Sequence, residues 1–177
     1  WKFQFSVRLT WIFLLMAFSI QAQHVGFVPN AGQWEGDFDF RLQRSDGYLF
    51  LSATEQRVAL VQKGHEGHEG HAHHHSTEAN FKGHVYSIRW LGADPAAKIS
   101  RTKLKNGSRL NYLLGRDKTK WVAGLEQIEE IVYHNIYPNI DLKYFLTDAG
   151  VCRFDFIVKP GGDPSLIKWQ IKGADQQ

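Results

Sequence analysis

Two neighbouring runs decide the fold: Ile140-Asp141-Leu142-Lys143-Tyr144-Phe145-Leu146, and then Val151-Cys152-Arg153-Phe154-Asp155-Phe156-Ile157-Val158. In the first, apolar and polar side chains alternate. In the second, Cys152, Phe154, Phe156 and Val158 fall on one side of a period-2 pattern. Successive side chains of a strand point to opposite faces, so both runs predict strands with one buried face. Asp148-Ala149-Gly150 between them supplies turn chemistry. On this count Cys152, the sole cysteine, is a small buried apolar residue rather than a nucleophile, and it has no disulfide partner in the chain.

The same grammar extends outward. Gly47–Leu51 and Arg57–Val61 are short β-rich runs around a polar turn, which predicts a hairpin. Val85–Leu91 alternates, with Tyr86, Ile88 and Trp90 on one face, and Gly92-Ala93-Asp94-Pro95 ends it. Asn106-Gly107 predicts a tight hairpin turn joining Ile99–Lys105 to Ser108–Leu114, because both residues accept positive φ. Ile128–His134 reads as a strand before the turn Tyr137-Pro138-Asn139, and Leu166–Lys172 as the last strand after Pro160-Gly161-Gly162-Asp163-Pro164. Lys118–Ile131 has room for a helical turn. The expected fold is therefore all-β and mainly antiparallel, a β-sandwich-like single domain over residues 23–177. Trp34, Trp90, Trp121 and Trp169 are expected to pack rather than to form a sugar platform.

Residues 1–22 are read as a cleaved signal peptide. Lys2 and Arg8 precede the apolar run Leu9–Ile20, and Gln21-Ala22 ends on a small residue. The run is too short for a membrane span, which needs about 20 apolar residues. The expectation is a secreted or cell-surface protein that meets the membrane only through export. No cysteine follows Ala22 to take a lipid, and the chain begins with Trp1 rather than Met. The formal net charge of +3 includes Lys2 and Arg8, so the mature domain is nearly neutral. That excludes a charge-driven case for nucleic acid.

Gly64–His75 is the chemically distinctive segment. His65, His68, His71, His73, His74 and His75 fall in it with Glu66 and Glu69. Imidazole ligates Zn, Ni and Cu, so these six histidines are the candidate metal ligands. The segment lacks HExxH and the fixed spacing of a closed site. The competing reading is a solvated loop, residues 64–75, joining two strands. No nucleophile elbow, P-loop or dinucleotide fingerprint is present, and no catalytic or cofactor-binding residue is assigned. Asp37 and Asp39 are read as surface charge rather than a calcium pair. Asp141, a short acid at the start of a strand, is expected to accept backbone N–H groups.

Six phrases, in order, carry a resemblance: Phe27–Trp34; Gly83–Tyr86 through Leu91–Pro95; Asn111–Gly115 with Lys120-Trp121; Tyr133 with Tyr137–Leu142; Phe154–Val158; and Pro160–Pro164. Together they resemble an uncharacterised N-terminal domain of large secreted proteins of Bacteroidetes-type bacteria. In that family the domain precedes β-propeller-type repeats, PKD-like modules and a C-terminal sorting domain for gliding-associated (type IX) secretion. The resemblance implies a non-catalytic domain in adhesion or extracellular assembly. Its implied partners are downstream domains of the same polypeptide and surface glycans or proteins. The family brings no established catalytic residues. Against its pattern the chain stops early, at Gly173–Gln177, where further strands are expected. An extracellular metal-binding module and a part of an extracellular hydrolase are the alternatives.

Overall fold

The computed structural model describes residues 26–62 and 82–174. Among these residues, twelve strands make up almost all of the regular structure. Strands β1 (Val28–Pro29), β2 (Phe40–Arg44), β3 (Gly47–Leu51), β4 (Glu55–Gln62), β5 (Lys82–Trp90) and β12 (Trp169–Lys172) form one antiparallel sheet in the order β1-β2-β3-β4-β5-β12. Strands β6 (Lys98–Lys103), β9 (Ile128–Tyr137), β10 (Ile140–Leu146) and β11 (Cys152–Val158) form a second, in the order β11-β10-β9-β6. Strands β7 (Leu110–Tyr112) and β8 (Val122–Leu125) pair separately. Among the described residues, no helix is long and apolar enough to cross a membrane.

The alternation read from the sequence places the core. Phe40, Leu42, Leu49, Leu51, Val58 and Trp90 of the first sheet meet Ile131, Tyr133, Ile140, Leu142 and Tyr144 of the second in one buried cluster. Two buried hydroxyls find partners there: Trp90 Nε1 donates to Tyr144 Oη at 3.2 Å, and Tyr133 Oη donates to Asp39 at 3.1 Å. The sheets are stitched at one flank, where Phe27 and Ile128 exchange backbone hydrogen bonds of 2.8 Å each. Gly26 N–H donates to the buried Gln127 side chain beside this pair. A Cβ at Gly26 would lie 2.8 Å from that of Gln127, so glycine is what allows the approach.

Two hairpins form as read: β3 pairs with β4, and β9 turns into β10 through Pro138-Asn139. Proline holds φ near −65° and Asn139 takes φ 59°, so the two residues suit a tight turn. Lys118–Lys120 is the one helical turn in the segment where one was expected, a 3₁₀ turn capped by Asp117.

The Asn106-Gly107 hairpin is a correction. The turn exists, closed by Gly107 N–H to Leu104 C=O at 3.0 Å, but β6 pairs with β9 and β7 pairs with β8. Asn106 takes positive φ (62°) and Gly107 does not, whereas the type I′ turn that an Asn-Gly pair favours in a hairpin needs both. The flanking strands splay into different sheets.

Candidate functional site

A network of four polar side chains, Ser100, His134, Asp141 and Lys159, is built around a defect between β9 and β10. Ile140 opposes Tyr137, yet Leu142 opposes Tyr133. Three residues of β9, His134–Ile136, therefore face one residue of β10, Asp141. A bulge of this kind re-aims side chains and leaves backbone groups to be satisfied locally. Asn135 takes the left-handed conformation, φ 52°, and turns its N–H to Asp141 Oδ1 at 2.8 Å. The expectation that Asp141 accepts a backbone N–H is met.

Asp141 lies on the outer face of the second sheet, yet its side chain is only 6% exposed. Lys159 Nζ donates to Oδ1 at 2.7 Å and His134 Nδ1 contacts Oδ2 at 3.1 Å. Lys159 is placed by its own N–H, which donates to Asn139 C=O at 2.8 Å just after β11. Burial pushes the Asp141 carboxyl up. The Lys159, Asn135 and His134 hydrogen bonds and the lysine charge outweigh it, leaving the group below its ordinary range.

On the other side of the imidazole, His134 Nε2 lies 2.7 Å from Ser100 Oγ on β6. Both contacts are satisfied when the ring proton sits on Nδ1 and Ser100 donates to Nε2. Strands β6, β9 and β10 thus place Ser100, His134 and Asp141 in the connectivity of a hydroxyl, a base and an orienting acid. One feature weakens it chemically. Lys159 already compensates the Asp141 charge, which reduces what the carboxylate can lend to an imidazolium. The sequence did not reveal this trio, because the three residues are unremarkable until the pairing of β6 with β9 and the bulge bring them together.

The other residues singled out from the sequence separate cleanly. Cys152 packs against the core and burial pushes its thiol up to about 12, as befits an unreactive group. Asp37 is exposed as surface charge, but Asp39 is half-buried, tied to Tyr133 and raised by burial, which corrects the reading of both as surface charge. Trp90 is core and Trp34 is half-buried, but Trp121 and Trp169 are exposed, which corrects the expectation that all four pack. His65, His68, His71, His73, His74 and His75 lie outside the described residues. The segment that carries them connects the adjacent strands β4 and β5. Among the described residues, no group of three or more His, Cys, Asp or Glu side chains is placed to hold a metal.

A family match runs over residues 27–177. The chain belongs to DUF7948, a family of domains of unknown function. The DUF7948 match begins at Phe27, the residue that stitches the two sheets, and takes in every strand. It therefore includes the Asp141 bulge and the whole core. No curated protein and no solved structure matches the chain.

A second feature of this DUF7948 domain is its open flank. Strand β12 is the edge of the first sheet and β11 the edge of the second. Trp169 pairs with the buried Trp90, and Ile171 with the core-packed Ile88, so both point inward. They are nonetheless 59% and 53% exposed. On β11, Phe154 and Val158 oppose the buried Tyr144 and Ile140 and are also exposed. The Phe154 ring still lies 5.3 Å from that of Trp90 in the first sheet, so inward-facing positions on the two edges are incompletely covered among the described residues, most of all on β12.

Proposed function

We propose that this DUF7948 domain is a non-catalytic module of a secreted or cell-surface protein of a Bacteroidetes-type bacterium, serving adhesion or extracellular assembly. The observation that supports it is the incompletely covered inward row of Phe154, Val158, Trp169 and Ile171 along two sheet edges. Edge strands offer unpaired backbone groups as well as apolar side chains, and a strand added there satisfies both. The occupant we infer is further β-structure of the same polypeptide, since both edges present strand backbone beside exposed inward-facing side chains. Export rests on the segment Trp1–Ala22, which lies outside the described residues.

Hydrogen exchange tests this reading. The amides of Cys152–Val158 and Trp169–Lys172 should exchange at least about tenfold more slowly in the full-length polypeptide than in residues 23–177 alone. Equal exchange overturns the proposal. Slowing that appears with rising concentration of the 23–177 chain assigns the flank to a second copy and also overturns it.

One observation favours a second reading, part of an extracellular hydrolase: the 2.7 Å and 3.1 Å contacts linking Ser100, His134 and Asp141. A fluorophosphonate probe decides. No labelling of the folded protein is expected. Labelling at Ser100 that disappears in both Ser100→Ala and His134→Ala would replace the non-catalytic reading.

A further inference from the structure

The outer face of the first sheet carries a cation with no anionic partner among the described residues. Phe40 and Leu42 point into the core, so Arg41 between them points out, directly opposite Phe50 of β3. Its guanidinium lies 3.6 Å from the centre of the Trp34 ring and 4.8 Å from that of Tyr48. Tyr112 of β7 meets Trp34 edge-on at 4.8 Å. The loop after β1 supplies Trp34, two strands of the sheet supply Arg41 and Tyr48, and the separate β7–β8 pair supplies Tyr112. Among the described residues, Arg41 enters no ion pair within 4 Å. A guanidinium stacked by its face keeps its in-plane N–H groups for another partner.

A second observation points to the sign of that partner. Residues 98–120 hold eight Lys or Arg residues, namely Lys98, Arg101, Lys103, Lys105, Arg109, Arg116, Lys118 and Lys120, against one acid, Asp117. Tyr112 brings the β7 part of this segment to the Arg41 cluster, whereas Lys98, Arg101 and Lys103 stand on β6 of the second sheet. Three of the eight are matched by Glu126 and Glu35. The two carboxylates nearest in sequence to Trp34 are Glu35, which is paired with Lys120, and the exposed Asp37. The near-neutral charge of the whole domain conceals this asymmetry.

We propose that Arg41, framed by Trp34, Tyr48 and Tyr112, is a binding site for the carboxylate of an acidic sugar, with the basic segment 98–120 attracting the rest of a polyuronate chain. A planar carboxylate matches the arginine fork in two parallel hydrogen bonds. The half-buried rings of Tyr48 and Tyr112 beside it offer apolar contact to the C–H groups of a pyranose. A nucleic acid fits less well, because base stacking needs a free ring face and Arg41 occupies that of Trp34. The site rests on the adhesive side of the function proposed above, and it lies on a different face from the open flank.

The test is the binding of the full polypeptide to polygalacturonate, to its methyl ester and to single-stranded DNA at two salt concentrations. Binding to polygalacturonate is expected, with at least about tenfold loss in the ester and in Arg41→Gln, and partial loss in Arg41→Lys, which keeps charge but not the fork. Near-ultraviolet circular dichroism confirms that both variants retain their packing. Equal binding of the ester, indifference to Arg41→Gln, or tighter binding of DNA overturns the proposal. Failure here with slowed exchange at β11 and β12 sinks the glycan site alone, whereas unslowed exchange sinks the assembly reading.

Discussion

The two flanks of the sandwich use the same residue types and end in opposite states. At one, Phe27 is 0% exposed, locked by paired backbone bonds to Ile128 and by the Gly26–Gln127 contact. At the other, Trp169 is larger, equally inward-facing, and more than half exposed. Alternation along a strand says which way a side chain points. It does not say whether anything stands opposite, and burial free energy requires both.

The sharpest way to break this comparison is Phe27→Ala. It removes a fully buried ring beside the backbone stitch, which alanine itself keeps, so a loss of about 3–5 kcal/mol is expected in urea unfolding. A loss below about 1 kcal/mol would mean the closed flank is not closed in solution.

Asp141→Ala should come next, at about 2–3 kcal/mol, because it strands the Asn135 N–H and leaves Lys159 without its carboxylate. The sign with pH follows from the lowered carboxyl. The Asp141 contribution is present above the ordinary aspartate range and is lost as pH falls through the depressed folded value. Acid titration of stability should therefore be shallower in Asp141→Asn than in the native chain. Parallel curves would show that the network does not titrate on unfolding.

The smallest effect should be Trp169→Ser in residues 23–177, below about 1 kcal/mol, since little is buried there. The same substitution in the full-length polypeptide should cost more if the flank is covered. Equal costs in the two contexts would erase the distinction between the flanks.

Much of this architecture was legible from period-2 patterning. Ile140–Leu146 and Cys152–Val158 became β10 and β11, and the inward set Tyr86, Ile88 and Trp90 packs as read. Patterning worked because strands with one buried face leave a local trace. Asn106-Gly107 shows where it stopped. The dipeptide makes a turn, but which strands pair beyond it depends on the free edge of β9, far away in sequence. Asp141 was visible as an odd acid in an apolar run. Ser100 and Arg41 carried no such mark, since their partners lie 34 residues away in one case and on a separate loop and two other strands in the other.

By itself, then, the sequence determined an all-β chain, the direction in which its strand side chains point, and a Cys152 that faces the core, though it is half-buried rather than buried, because these follow from local alternation and turn chemistry. Tertiary structure alone decided which inward positions are covered. It also brought Ser100, His134 and Asp141 together, and set Arg41 between aromatic rings. Those outcomes depend on long-range strand pairing and on a bulge, which bring distant residues within 3–5 Å and leave no periodic signal along the chain.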